Sequence, residues 1–330
     1  MINFSKNDKY GGILNSNMAK TDCKKKAFVF QGVGNNIEKT ISVFDSAQIN
    51  YFNELCEAVS DFSGINLEKY LKDMSCYEGT DRMFAEWILT GLSDCTVFHT
   101  CIQNDILPDY IIGYSLGLNN AIYCSGSIRL EDTVHILSGV IRSIIESQKV
   151  RLSYDMGVIV GLDLQTVKEI INLYSSCNHV LIASENSEYC IVITGLRNEV
   201  EKVLGKAQSQ GALKTRMLDV PCAFHSNMLK DYALYYYDNI EKIHFNDSKI
   251  PVVSVYDQKI LIKGNEIYNE QRRNFLSSMK WKTTIQYLEK IGVNEFWDMS
   301  TNGSMKKSTV LTNPDSSFYT IKTLYKSLNV

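Results

Sequence analysis

The chain of 330 residues lacks any apolar stretch long enough to cross a membrane as a helix, which takes about 20 residues. Residues 1–26 are polar and contain lysines, without the apolar run of about 7–15 residues that a secretion signal needs. The 34 basic residues are balanced by 37 acidic ones, and no cluster of one sign is long enough to suggest a nucleic-acid surface. We therefore expect a cytoplasmic protein that binds neither a membrane nor a nucleic acid.

Cysteine pairs with the spacing of zinc or redox sites are also missing. The nine cysteines are odd in number, are scattered between Cys23 and Cys222, and form no C-x-x-C pair. Reduced and mostly buried thiols are the expected state, because core packing explains the cysteines and methionines more simply than a ligand site does. We expect no bound metal and no bound cofactor.

The composition that remains is that of a globular protein, with 45% hydrophobic and 22% charged residues. Residues 1–26 are predicted to be a flexible lead-in, because they show no periodicity. Short apolar strands at residues 27–30 and 110–112 each run into a glycine-bearing turn, and helical periodicity marks residues 51–59 and 82–101. The length allows one large domain with a smaller one inserted.

Residues 156–220 form a separate block of six predicted elements in the order βαββαβ. The strands are predicted at residues 157–160, 180–183, 190–194 and 214–218, and the helices at residues 164–174 and 199–210. Two similar halves in succession are typical of a ferredoxin-like subdomain. We predict an α/β fold with a larger domain over residues 27–155 and 221–330, completed by helices at 228–242 and 281–291, strands at 252–255 and 318–321, and a terminal helix.

Ser115 lies in a G-x-S-x-G motif between the strand at residues 110–112 and a helix that begins near Leu118. This context is typical of a nucleophile elbow, where the serine sits on a strained turn with its oxygen exposed. A side chain at Gly113 or Gly117 would crowd the turn. The helix N-terminus would also favour the negative charge that develops on a carbonyl under attack. The alternative is an ordinary glycine turn, because the motif often arises by chance.

A serine nucleophile needs a base, and the chain has five histidines. His225 is the best candidate, because it follows the inserted block at the point where a loop could return to the larger domain. A loop histidine with a purely structural role is the alternative for this residue. Structural or surface positions are expected for the remaining four: His99, His135, His179 and His244.

An oxyanion hole in this architecture takes one N–H from the residue after the nucleophile and one from a loop after an early strand. Leu116 and Val33 fit these two places. A phosphate-binding loop at residues 31–34 is not favoured, because the segment lacks the Gly-Lys-Ser/Thr ending of a P-loop and the third glycine of a dinucleotide fingerprint.

With these pieces in order, residues 27–324 resemble the malonyl-CoA:acyl-carrier-protein transacylase family, including the acyltransferases of polyketide synthases. Residues 30–34 look like the family's early Phe-Pro-Gly-Gln-Gly loop, residues 113–117 like its Gly-His-Ser-x-Gly elbow, and residues 223–226 like its Ala-Phe-His-Ser motif. The resemblance implies a hydrolase-like α/β domain with an inserted ferredoxin-like subdomain, which agrees with the element order derived above.

The resemblance also implies a reaction. Ser115 attacks an acyl thioester of CoA or of phosphopantetheine, His225 moves the proton, and a carrier-protein thiol collects the acyl group. In the family a carbonyl orients the histidine, and Asn274 is the expected equivalent. An acyl carrier protein and a CoA thioester are the expected partners. Since no synthase modules flank the chain, we expect it to act in trans, as a monomer.

Four positions depart from the family pattern. Tyr114 replaces the elbow histidine, Val33 the early glutamine and Leu118 a glutamate. The arginine that holds the malonyl carboxylate in the family falls, without gaps, at Val140. A pocket with valine there would bury a carboxylate unpaired, so we expect a neutral acyl group, with Phe224 and Tyr114 also near the substrate.

Four alternatives remain open from the sequence. The chain could hydrolyse acyl groups from carrier proteins, or transfer malonyl groups if an alignment gap of two residues brings Arg142 to the family's arginine position. A degenerate member could bind a carrier protein without turnover. A general esterase would share the elbow, but it would usually supply an Asp-His pair late in the chain, and none is evident.

Overall fold

The structure is a computed structural model that describes residues 24–33, 37–149, 152–175 and 178–327. Its strands are β1 (Lys25–Phe30), β2 (Tyr110–Gly113), β3 (Tyr154–Val160), β4 (Val180–Ser187), β5 (Cys190–Leu196), β6 (Lys214–Met217), β7 (Val252–Val253), β8 (Ile260–Leu261), β9 (Val293–Asp298) and β10 (Ser317–Thr320). Its helices are α1 (Ile37–Ile41), α2 (Ser46–Ser63), α3 (Leu67–Lys72), α4 (Gly79–Gln103), α5 (Gly117–Cys124), α6 (Leu130–Gln148), α7 (Leu164–Tyr174), α8 (Arg197–Ser209), α9 (Ala233–Ile240), α10 (Gly264–Arg273), α11 (Trp281–Lys290), α12 (Ser304–Ser308) and α13 (Ile321–Ser327).

The predicted α/β fold is confirmed. Six of the described strands form one sheet in the order β10-β9-β1-β2-β7-β8, in which the neighbouring pairs are parallel except for the antiparallel pair β7–β8. The central strand β1 is buried on both faces, as expected for a parallel sheet covered by helices. Phe28 and Phe30 face the core formed with α2 and α4, whereas Ala27 and Val29 face α11. The C-terminal ends of β1 and β2 lie at the same edge of the sheet, and Ser115 follows β2 at this edge.

The inserted block has the predicted βαββαβ order. Its four strands form a separate antiparallel sheet in the order β4-β5-β3-β6, with α7 and α8 packed on it. Asp155, fully buried on β3, accepts hydrogen bonds from the Val220 amide at 3.0 Å and from the Arg197 guanidinium at 2.5 Å. This contact fastens the chain where it leaves the block. The predicted domain boundaries themselves stay a prediction.

Several predicted element bounds are wrong. Lys25 and Lys26 lie in β1 rather than in the predicted lead-in, while residues 1–23 of that lead-in lie outside the described part. Strand β3 begins at Tyr154, three residues before the strand predicted at residues 157–160. The helix predicted over residues 228–242 is a 3-10 turn, Asn227–Leu229, followed by the shorter α9.

Strand β9 is absent from the elements that the sequence predicts, although it lies between β10 and β1 in the sheet. Its first half carries the half-buried polar residues Asn294 and Glu295, so it shows neither an apolar run nor strict alternation. Among the described residues, no helix has both the length and the apolar character needed to cross a bilayer.

Candidate active site

Ser115 occupies a sharp turn between β2 and α5 with φ of +53°, a left-handed conformation that is strained for a residue with a side chain. Both flanking glycines are required sterically. A Cβ on Gly113 would lie 2.3 Å from the Leu118 backbone, and one on Gly117 would lie 2.4 Å from the Gln31 carbonyl oxygen. The structure therefore has the geometry of the nucleophile elbow that the motif predicts.

The structure brings His225 to Ser115 from 110 residues further along the chain. Ser115 Oγ and His225 Nε2 are 2.8 Å apart, a hydrogen-bonding distance. His225 also has a positive φ, +59°, and its backbone N–H donates to the Phe275 carbonyl at 3.0 Å. Burial lowers the pKa of the imidazole to about 4. At neutral pH the ring is therefore uncharged and able to accept the serine proton.

The group beside the His225 ring differs from the one predicted. The backbone of Ser277 favours the protonated imidazole and so raises the pKa of His225, but burial lowers this pKa by more. Among the described residues, Nδ1 of His225 has no partner with good hydrogen-bond geometry. Asn274 does not bind the imidazole. Its Nδ2 donates to the Ser115 carbonyl oxygen at 3.0 Å, and its Oδ1 accepts from the Tyr256 hydroxyl at 2.9 Å. The structure thus places Asn274 against the strained backbone of the elbow.

The two residues predicted to supply oxyanion donors, Leu116 and Val33, both line the cavity at Ser115. The N–H groups of Gly117, Leu118 and Asn119 donate to the carbonyls of residues 114, 115 and 116, at the start of α5. The Leu116 N–H immediately precedes these three N–H groups in the chain. The loop after β1 also lies close to Ser115. A Cβ on Gly32 would lie 3.4 Å from Ser115 Cβ, and Val33 lines the cavity in front of the serine. Gly34 lies outside the described residues.

A buried aspartate fixes the start of that loop. The Gln31 backbone N–H and its Nε2 both donate to the carboxylate of Asp94, at 3.2 and 2.7 Å, and Gln31 Oε1 accepts from the Ser304 hydroxyl at 2.8 Å. Asp94 is fully buried on α4, and burial raises its carboxyl pKa well above the usual range. This network has no signature in the amino-acid sequence, because nothing in the local pattern distinguishes Asp94 from a surface residue of a long helix.

A small cavity of about 40 Å³ opens beside the Ser115 hydroxyl. Two predicted residues, Val140 on α6 and Phe224, lie in its wall. The residues lining it are Val33, Trp87, Ser115, Leu116, Asn119, Val140, Phe224, His225, Tyr236, Gln271, Asn274 and Phe275. This set contains no lysine or arginine. Five of its members were missed in the sequence, since elements that are distant in the chain contribute them: Trp87, Asn119, Tyr236, Gln271 and Phe275.

Two other predicted substrate residues do not present free polar groups to this cavity. Arg142 is exposed on the outer face of α6, where its guanidinium stacks on Tyr235 at 4.6 Å from the ring centre. Arg142 lies two positions after Val140 on the helix, and side chains two positions apart point to different faces. Tyr114 packs edge-on against Trp281, and its hydroxyl donates to Asn186 Oδ1 of β4 at 3.0 Å. Tyr114 therefore connects the elbow to the antiparallel sheet.

A wider groove of about 330 Å³ lies between the two sheets and also reaches Ser115 and His225. Its walls include Met156 and Val192 from the antiparallel sheet and Met305 from α12. The serine hydroxyl is thus accessible from two sides, through an open groove and a narrow cavity. This arrangement suits a substrate with a long arm and a small reacting group.

The chain is similar to malonyl CoA-acyl carrier protein transacylases in sequence. It is 24% identical to that of Synechocystis over 192 residues, 58% of this chain and 62% of the relative, so this match spans less than two thirds of the relative's length. It is 26% identical to that of Buchnera aphidicola over 80% of this chain and 84% of the relative. It is 23% identical to the polyketide biosynthesis malonyl CoA-acyl carrier protein transacylase PksC of Bacillus subtilis over 82% and 90%. No protein-family model matches the chain.

Solved structures agree with the fold. The malonyl CoA-acyl carrier protein transacylase of Coxiella burnetii superposes with a TM-score of 0.81 at 22% identity, over 93% of this chain and 96% of that one. A malonyl-transacylase solved in complex with its type II polyketide synthase acyl-carrier protein gives 0.80 at 20% identity, over 93% and 100%. The fold and the resemblance that the three motifs indicated are confirmed.

Proposed function

We propose that this protein transfers an acyl group between thioesters of CoA and an acyl carrier protein through an acyl-serine intermediate on Ser115. The observation that carries the proposal is the 2.8 Å contact between Ser115 Oγ and the buried, neutral imidazole of His225 on a strained elbow. A purely structural serine would need neither the strained turn nor the nearby base.

In the proposed reaction His225 Nε2 takes the proton of Ser115 as the oxygen attacks the thioester carbonyl. The N–H groups of Leu116 and Val33 stabilise the charge on the carbonyl oxygen, and Asn274 holds the elbow backbone through the Ser115 carbonyl. The carbon–sulfur bond then breaks, and the thiol leaves with the proton from His225. A second thiol attacks the acyl-serine by the same steps in reverse, which returns the proton to Ser115.

The acyl group in this proposal carries no free carboxylate. Val140 stands in the cavity wall, none of the described residues that line the cavity is basic, and Arg142 lies outside on Tyr235. A carboxylate placed there would be desolvated without a counter-charge, at a cost of several kcal/mol. Malonyl transfer is the second candidate, because the relatives carry that name.

The partner in this proposal is an acyl carrier protein, which supplies a thiol on a long flexible arm. A similar structure holds a malonyl-transacylase with its acyl-carrier protein. The groove between the two sheets, about 330 Å³, offers such an arm a route to Ser115. No cofactor enters the steps, because the serine and histidine supply both the nucleophile and the proton transfer.

Intact-protein mass spectrometry tests the proposal. The protein is mixed with acetyl-CoA and, separately, malonyl-CoA, with Ser115→Ala as the control. We expect an acetyl adduct that is absent from the variant and moves to an added acyl carrier protein. A malonyl adduct alone would favour the second candidate and refute the neutral-acyl proposal. An adduct lost to water instead would indicate a hydrolase, and no adduct from any donor would indicate a carrier-protein-binding protein without turnover.

A further inference from the structure

Trp87 on α4 borders three separate spaces around the site. It lines the 40 Å³ cavity at Ser115, a deeper cavity of about 20 Å³ that reaches Leu92 and Leu137, and an outer groove of about 430 Å³ that reaches Gln148 and Pro221. Trp87 is therefore a residue that the cavity at the nucleophile shares with two neighbouring spaces, one of which is a larger groove.

The position of this wall is well defined. Trp87 is 8% exposed, and its ring packs against Phe224 with the ring centres 6.0 Å apart. Phe224 in turn packs edge-on against Phe275, at 5.6 Å. Close packing of three aromatic rings makes movement of the indole costly, because each ring would lose contacts with its neighbours.

The small cavity has room for only a few atoms. An apolar cavity of about 150 Å³ takes a benzene ring, so a cavity of about 40 Å³ holds only a few heavy atoms. A carbonyl with one or two further carbons fills it. A longer chain would meet the indole before it could reach the deeper cavity or the outer groove.

We propose that the Trp87 indole limits the acyl group to about two or three carbons, so that the substrates are short neutral acyl thioesters. This inference rests on the proposed acyl-serine function and adds the residue that selects for chain length. Replacing the indole with a smaller side chain joins the cavity at Ser115 to the space behind it and admits longer chains.

The test compares acyl-serine formation from acetyl-, butyryl- and hexanoyl-CoA, measured as kcat/KM in single-turnover acylation. Trp87→Leu and the milder Trp87→Phe are compared with the parent protein. Phe84→Leu is the matched control, since Phe84 lies one turn away on α4, is equally buried, and lines none of the three spaces.

We expect the parent protein to prefer acetyl-CoA and Trp87→Leu to raise the hexanoyl-to-acetyl ratio at least about a hundredfold, because hexanoyl exceeds the three-carbon limit by three methylenes and each excluded methylene is worth roughly tenfold or more. Trp87→Phe should raise it less, and Phe84→Leu should leave it unchanged. The inference is overturned if the parent accepts hexanoyl-CoA as well as acetyl-CoA, or if neither Trp87 variant changes the ratio. Failure of every donor to acylate the parent would overturn the proposed function, and this inference with it.

Discussion

Replacing Gly117 with alanine tests whether the elbow needs the close approach between α5 and the end of β1. The new Cβ would lie 2.4 Å from the Gln31 carbonyl oxygen and 2.5 Å from that of Phe30. Ordinary contacts of this kind are about one ångström longer, and both atoms belong to the backbone, so no side-chain rotation relieves the clash. Overpacking of a well-packed site costs about 1–3 kcal/mol, and backbone contacts place this one at the upper end. We expect Gly117→Ala to lower the free energy of unfolding by about 3 kcal/mol.

The same shift should displace Ser115 relative to His225, which are 2.8 Å apart. A displacement of about 1 Å can reduce a reaction rate roughly a hundredfold, so acyl-serine formation should fall by about that factor. Urea unfolding followed by circular dichroism measures the first effect, and single-turnover acylation measures the second.

Gly205→Ala is the matched control. Gly205 lies inside α8, where a new Cβ would meet nothing within 4 Å. Alanine is favoured over glycine in a helix interior by up to about 1 kcal/mol, so this variant should be slightly more stable than the parent, with unchanged acylation. If Gly117→Ala unfolds at the same urea concentration as the parent and acylates at the same rate, the steric reasoning is wrong.

Four further predictions concern the base, the cavity and the link to the antiparallel sheet. The kcat/KM of acylation should not change between pH 8 and about pH 5 and should fall only near pH 4, because the pKa of His225 is about 4. A decrease in kcat/KM between pH 7 and pH 6 would contradict this prediction. The unfolded chain takes up this proton near pH 6.5, so the free energy of unfolding should also decrease as the pH falls from about 6.5 to about 4, measured by urea titrations against His225→Gln. Val140→Arg should raise the malonyl-to-acetyl ratio in acylation at least tenfold by giving a carboxylate a partner in the cavity, whereas an unchanged ratio would place the acyl group elsewhere. Arg197→Met should lower the free energy of unfolding by about 2 kcal/mol, because the fully buried Asp155 loses its ion pair but keeps two amide donors; urea unfolding checks this, and no change would show that the amides alone suffice.

Local patterns in the sequence predict much of this protein's architecture. The glycines at positions 113 and 117 indicate an elbow, because the tight turn has no room for a side chain at either position. The six elements of the inserted block are recognisable because strands and helices of normal length carry their periodicity within themselves. Helical spacing also separates Val140, which lines the cavity, from Arg142, which lies outside it.

Other features depend on contacts that no local pattern contains. Strand β9 lies beside β1 because of pairing across the sheet, while its own residues alternate poorly. Asn274 is expected beside the histidine, but the fold turns its amide to the Ser115 carbonyl. The wall formed by Trp87 and the Asp94 contact to Gln31 both come from α4, which carries no motif.

The turn that carries Ser115, the order of the elements and the valine at position 140 can all be read from the amino-acid sequence, since each follows from steric or periodic constraints between near neighbours. Only the tertiary structure decides three other properties: the approach of His225 to Ser115, the groups that face the imidazole and the size of the cavity beside them. Those properties depend on side chains that are distant in the chain and meet only when both sheets and their helices have packed.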